Sequence, residues 1–372
     1  MKHGLSRRAF VSTALAALSS PALGQPKCAG GDAASDVTFI VTSDTHACLT
    51  GSGLAPKCQI EGKTDESLRH QIHAINDIVN YDWPQTLNSG PLTLVSGGRP
   101  IGRPRGVIVA GDLTDDGGGQ IALPGEGTQL QQFSHRYQEG PGRDQIHFPV
   151  YLGLGNHDLD QDGPAEHRDW YRREMRDYVE FNHRPSVFFK PLLPATDFDI
   201  YSDNYSWDWG DLHLVQAQRF AGDSTKGAVD SLPWLRQDLE AYAGDGRPVI
   251  LFQHYGWDPF STGNWDPVNH RFDPEGKGKA QWWTAAQREA LLAVLADFNV
   301  IAIFHGHQHL QNLAYKVSGI DVFSARAAFL GGFAVVRVAE CFMDMAFAQA
   351  GAEGTVRFTG AFSKAIERGR KT

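Results

Sequence analysis

The sequence predicts an α/β fold in which two packed mixed β-sheets are flanked by helices, a four-layer αββα sandwich. Three observations predict it. Five apolar runs rich in Val and Ile are spread between residues 37 and 304, each the length of a strand buried on both faces. Segments with apolar residues at three- and four-residue steps lie between them. Beyond residue 310 the chain turns into a succession of strand-like stretches separated by turn residues.

The elements follow in order. Val37–Ser43 reads as a buried strand that stops at Asp44, and Ser67–Tyr81 as a helix with Leu68, Ile72, Ile75 and Val79 in register. Val107–Ala110 runs into Gly111-Asp112, and Val150–Leu154 into Gly155-Asn156-His157-Asp158. A helical pattern covers Pro164–Phe181. Trp209-Gly210-Asp211 then divides two alternating strands, a hairpin signal. Helical spacing returns over Leu232–Tyr242. Val249–Gln253 ends at His254, helical spacing covers Thr284–Phe298, and Val300–Phe304 leads into Gly306-His307-Gln308-His309. Five strands are expected after that: Leu313–Val317, Ile320–Phe323, Phe333–Val338, Met343–Ala348 and Thr355–Phe358.

Each of the first five strands ends in a polar block, and sites in open α/β sheets form outside the carboxyl ends of strands. Asp44 and His46 are two apart, as are His307 and His309. In extended backbone such pairs point the same way and can grip one ion, or one ion each of a close pair. Gly111, Gly155 and Gly306 would let the backbone turn sharply and come close to the ions.

The series Asp44-x-His46, Gly111-Asp112, Gly155-Asn156-His157-Asp158, His254 and Gly306-His307-x-His309 resembles the calcineurin-like metallophosphoesterase superfamily. Every element is present, in order, without a substituted ligand. The resemblance implies the same αββα sandwich and two metal ions. Asp44, His46 and His309 would bind the first, Asn156, His254 and His307 the second, and Asp112 would bridge them. His157 would face the substrate as general acid, and Asp158 would orient it. A long insertion, roughly residues 47–104, separates the first two blocks.

The chemistry accounts for these residue types. Two cations about 3.5–4 Å apart can clamp the attacking and leaving oxygens of a phosphoester, and a metal-bound water has its pKa lowered from about 16 to roughly 7. A bridging hydroxide is thus the expected nucleophile. Carboxylate, amide and imidazole donors suit Mn, Fe or Zn. The leaving alkoxide needs a proton, which histidine can supply near neutral pH. A non-catalytic phosphate-binding or scaffold protein on the same fold is the rival reading. His305 is read as supporting or structural, and His70 and His73 as helix-surface residues.

Residues 1–24 read as a twin-arginine export signal. Ser6-Arg7-Arg8-Ala9-Phe10 is followed by a mildly apolar stretch and small residues at 22–24. The apolar stretch is shorter than the ~20 residues of a membrane span. The expectation is a bacterial periplasmic or secreted protein whose partners are the twin-arginine export machinery and a small-molecule phosphoester. Residues 25–372 are read as one domain with inserted loops at about 47–104, 113–148 and 255–283. Cys28, Cys48, Cys58 and Cys341 would then meet an oxidising compartment. Four cysteines allow three pairings; Cys48–Cys58 is favoured, leaving Cys28–Cys341. The formal net charge of −9 disfavours nucleic-acid polymers and anionic membrane surfaces as main partners.

Two loops bear on the site. The stretch 113–148, with its Gly-rich start, is read as mobile and lacks the Gly-Lys-Ser/Thr ending of a phosphate loop. The stretch 255–283 carries Trp257, Phe260, Trp265, Phe272, Trp282 and Trp283 directly after His254. Long loops are usually functional, so these aromatics either wall the substrate cleft or pack the loop onto the body.

Overall fold

The computed structural model describes residues 36–50, 53–54, 56–87, 90–117, 128–159, 168–223, 230–266, 271–273 and 283–369. The leader, Trp282 and Cys28 lie outside them, as do the side chains of Trp265 and Phe272.

Two mixed sheets form the centre. In the six-stranded sheet the spatial order is Val356–Ala365, Phe342–Ala350, Gly332–Ala339, Val37–Thr42, Val107–Ala110, Val150–Gly153. Its last three strands are parallel and carry the first three polar blocks; the C-terminal strands join them antiparallel. The seven-stranded sheet runs Leu313–Val317, Ile320–Ser324, Val300–His305, Val249–Gln253, Leu212–Gln216, Tyr205–Trp209, Asp197–Phe198. Its four strands from Ile320–Ser324 to Leu212–Gln216 are parallel. The register Gln253↔His305 sets His254 beside the Gly306 turn.

Strand alternation sorts side chains between layers. Ile250 and Phe252 join the core between the sheets, while Val249 and Leu251 join Leu235, Leu239, Leu291 and Leu295 of the helices Leu232–Tyr242 and Ala285–Leu295. Between the sheets, Phe39 meets Trp209 at 5.6 Å and Phe252 at 6.3 Å, and Tyr151 stacks on Trp207 at 4.3 Å between ring centroids. Over the first sheet, the helix Asp65–Asp77 buries Leu68, Ile72 and Ile75. Thr64 starts this helix by accepting from Ser67 N, two residues earlier than the apolar pattern shows.

Among the elements the sequence reading missed or cut short, two are the longest. The stretch 113–148 contains a helix, Gln129–Tyr137, opened by a capping box between Thr128 and Gln131 and burying Leu130, Phe133 and Tyr137. The final strand runs Val356–Ala365 rather than stopping at Phe358. A register shift between Phe347 and Ala348 leaves Thr359 as the extra residue, and pairing continues beyond it. Among the described residues, no helix is long and apolar enough to cross a membrane.

A buried charge cluster ties the second sheet to its helix. His213 has Nδ1 2.9 Å from Asp208 Oδ1 and Nε2 2.9 Å from Asp238 Oδ2. Burial lowers its pKa, but hydrogen bonds and charge from the two carboxylates outweigh that and raise it to about 9. The unfolded value is about 6.5. The folded state therefore binds the extra proton, and this stabilisation is complete below about pH 6.5 and fades as pH rises towards 9. On this shift it amounts to ~3 kcal/mol. Urea midpoints measured at pH 6 and pH 9.5 are expected to fall with pH in the wild type and to fall less in His213→Gln. Equal slopes would show that the cluster does not set the pH dependence.

Candidate metal centre

The blocks converge through strained turns. Asp44, His46, Asp112 and His307 all have positive φ, at 56°, 44°, 53° and 70°. Non-glycine residues held there cost on the order of 1–3 kcal/mol each and cluster at functional sites. The expected extended geometry for the Asp44/His46 and His307/His309 pairs is therefore not what aligns them. The turns are over-determined instead. Asp44 N donates to Gly111 O at 2.9 Å, His46 N to Asp112 O at 3.1 Å, and His307 N to both Asp44 carboxylate oxygens at 3.0 and 3.1 Å. Glycine is needed where these turns touch. A Cβ on Gly155 would lie 2.2 Å from Asp112 Oδ1, and one on Gly111, at φ 96°, 2.5 Å from His254 Nδ1.

Hydrogen bonds at the outer ring nitrogen fix the imidazoles. His254 Nδ1 donates to Ala110 O at 2.9 Å, and His46 Nδ1 to the Asp115 carboxylate at 2.9 Å. Each Nε2 is therefore turned inward, where it can bind a cation or carry a proton. His46 Nε2 faces His309 Nε2 at 3.2 Å and Asp112 Oδ2 at 3.5 Å. His254 Nε2 faces Asp112 Oδ2 at 3.1 Å and Asn156 Oδ1 at 3.0 Å. His309 Nε2 is 3.3 Å from Asp44 Oδ1. Asp112 Oδ2 is buried without a hydrogen-bond partner. Lone pairs pointing at lone pairs around a buried carboxylate oxygen are costly unless a cation or proton lies among them.

These side chains fall into two groups. Asp44, His46, Asp112 and His309 offer ligand atoms within 4.8 Å of one another, and so do Asp112, His254 and His307; Asp112 is common to both. With Asn156 beside His254, all seven side chains read from the sequence as ligands are gathered where the strand ends of the two sheets meet. The donor set fits two hard or borderline cations sharing a carboxylate.

Electrostatics agree. Burial raises the Asp44 carboxyl, but the hydrogen bond and charge of His309, then the charge of His254, hold it below the usual range. Burial likewise raises Asp112, and His254, His157 and His46 outweigh it, so it stays ionised. Burial lowers His46 to about 3, with His157 adding to the effect, which keeps it a neutral donor. Burial lowers His254 too, but Asp112 raises it to about 9. Without a cation, a proton on His254 takes the cation's place against Asp112, and metal uptake would release it.

His157 sits at the rim, partly exposed, on the one-turn helix Asn156–Leu159. Its backbone N donates to Asp112 Oδ1 at 2.9 Å, and its Nδ1 donates to Asp115 O at 2.6 Å. Asp158 does not orient the His157 ring, contrary to the expectation. Its carboxylate accepts from Leu113 N, Thr114 N, Thr114 Oγ1 and Gly155 N at 2.9–3.1 Å, clasping the Asp112 turn to the Gly155 turn. Burial and the charge of Asp112 raise its pKa to about 6, against those backbone donors.

Asp115 is the residue that sequence reasoning missed. Its carboxylate holds His46 and its carbonyl holds His157. It lies three residues beyond Asp112, inside the stretch read as a mobile Gly-rich loop.

The aromatic loop after His254 divides. Trp257 packs on Trp283 at 4.6 Å, and Trp283 on Phe220 at 5.5 Å, holding the loop to the body. Phe260 lies 4.7 Å from the His307 ring, at the centre itself. His305 is structural, its Nε2 2.9 Å from Tyr315 OH. Cys48 and Cys58 form a disulfide, as favoured, and Cys341 is disulfide-bonded as well.

The family model for calcineurin-like phosphoesterases matches residues 37–311. A search of curated protein sequences gave no significant match. Among solved structures, a dimetal phosphatase from Danio rerio aligns over 89% of this chain and 99% of its own, at 12% identity and a TM-score of 0.50. The structure of PhoD aligns over 91% of this chain and 71% of its own, at 11% identity and a TM-score of 0.51. Both share the fold of this chain. The two sheets, the ligand groups joined at Asp112 and the family match over most of the chain lead to one statement: the protein belongs to the calcineurin-like phosphoesterases, hydrolases of phosphoric ester bonds that depend on a dinuclear metal centre.

Proposed function

We propose that the protein hydrolyses a small-molecule phosphoester outside the cytoplasm, with two Mn, Fe or Zn ions in the seven-ligand centre and His157 as general acid. One observation carries this reading above the others: Asp112 Oδ2 is fully buried and stands 3.1 and 3.5 Å from the inward nitrogens of two imidazoles from different ligand groups. The cation pair, when bound, supplies an acidified water and neutralises phosphoryl charge.

The chain's own residues do the rest. Asp44, His46 and His309 would hold one cation, Asn156, His254 and His307 the other, and Asp112 both. Asp115 O keeps the Nδ1 proton of His157 engaged, so Nε2 is the atom that hands a proton to the leaving oxygen. Asp158 keeps the Asp112 and Gly155 turns in register. Phe260 lines the His307 side, where an apolar or planar leaving group would rest.

Metal analysis combined with turnover of p-nitrophenyl phosphate and bis-p-nitrophenyl phosphate tests the reading. Two metals per chain with hydrolysis are expected, and the preferred ester assigns a monoesterase or diesterase. Two metals with no turnover on a broad phosphoester panel would favour a binding scaffold. Export is supported by the Arg7-Arg8 leader motif and the Cys48–Cys58 disulfide. Replacing both arginines by lysine is expected to leave the protein in the cytoplasm; unchanged export would remove that part of the proposal.

A further inference from the structure

Lys63 is a buried cation that no step above uses. Its side chain is 4% exposed, and Nζ lies 2.5 Å from Asp115 Oδ1 and 2.7 Å from Glu61 Oε2. The same Asp115 oxygen accepts from His46 Nδ1 at 2.9 Å. An unbroken line therefore runs from the Lys63 ammonium through Asp115 to the ring of a metal-ligand histidine.

The other end of the line is tied covalently. Lys63 N donates to Cys58 O at 2.9 Å at the close of the short helix Pro56–Glu61. Cys58 is bonded to Cys48, two residues beyond His46. His46, Cys48, Cys58, Lys63 and Asp115 thus form a closed ring of covalent and polar links around the first ligand group. Burying a lysine costs side-chain freedom besides desolvation. The ring offsets this by pre-placing the ammonium. In return, Lys63 neutralises a buried carboxylate that otherwise faces an imidazole and the Cys58 sulfur, and it gives that carboxylate one orientation.

We propose that Lys63, pinned by the Cys48–Cys58 disulfide, is a positioning residue that fixes the His46 ring through Asp115 and so governs how firmly the Asp44–His46–His309 position keeps its cation. The proposal rests on the two-cation reading above. Partners one shell out from a metal typically change affinity about 10–100-fold when lost.

The test uses the full chain loaded with Zn²⁺ and follows release to a chromogenic chelator, independently of turnover. The wild type is expected to release two ions in two phases. Lys63→Met is expected to speed one phase by about 10–100-fold and leave the other unchanged. Lys63→Arg, which keeps the charge, should restore much of the slow release. The Cys48→Ser/Cys58→Ser double variant should speed the same phase as Lys63→Met. Unaltered phases in Lys63→Met would overturn the proposal. So would equal acceleration of both phases with a lowered melting temperature of the metal-free protein, since that marks general loosening. A shift in Lys63→Met with none in the cysteine variant would remove the disulfide's part. A wild type that takes up no zinc would overturn the two-cation reading itself and this proposal with it.

Discussion

Asp112→Asn is expected to empty both metal positions and to reduce turnover at least about 10³-fold, the loss that several kcal/mol of metal-derived charge stabilisation represents. The substitution is nearly isosteric, so its effect comes from charge and donor type. Asn can still accept from His157 N at the position of Oδ1, and the Gly155 contact is unchanged in volume. At the position of Oδ2, however, an anionic acceptor between two imidazole nitrogens at 3.1 and 3.5 Å becomes a neutral amide. If its NH₂ group turns there, it donates to the nitrogens that should hold cations. The metal-free variant also loses the pairing of Asp112 with a protonated His254, so its own melting temperature does not report on metal binding. What it must lose is the rise in melting temperature on adding metal, since that rise measures binding to the folded state. Elemental analysis showing two tightly held ions per variant chain would refute the bridging role, whatever the activity.

How much of this centre the sequence disclosed follows from the range of the interactions. The strands were legible because burial on both faces writes a continuous apolar run, and the ligands because each run ends in a polar block. Both signals are local. The Asp115 network was not legible, because Lys63 and His46 reach it from 52 and 69 positions away. A charged residue in a Gly-rich stretch looks solvated until the fold surrounds it. The role of Asp158 was misread for a related reason. Adjacency to His157 suggested a contact, but on a one-turn helix neighbouring side chains diverge, and the carboxylate meets the backbone of Leu113 and Thr114 instead. The helix Gln129–Tyr137 is a different case. Thr128, Gln131 and the buried Leu130, Phe133 and Tyr137 are a readable capping box and apolar face, obscured only by the Gly-rich residues ahead of them.

His157→Ala separates proton transfer from metal binding. The backbone N–H that contacts Asp112 Oδ1 survives the substitution, and the ring's other bond goes to a carbonyl outside the ligand set. Two metals per chain are therefore expected to remain. Turnover should fall by about 10²–10⁴-fold for alkyl esters, the range for a lost general acid. The loss should shrink as the leaving group improves, because a stable leaving anion needs no proton in the transition state. A plot of log kcat/KM against leaving-group acidity should thus be steeper for the variant than for the wild type. The His46 ring is the one local hazard, since it packs edge-on to His157 at 4.6 Å. If that packing rather than the proton mattered, the variant would shed metal and lose rate equally on every ester. Parallel plots with an intact metal count would mean that another group protonates the leaving oxygen, and a parallel drop with metal loss would make His157 a support for His46 rather than an acid.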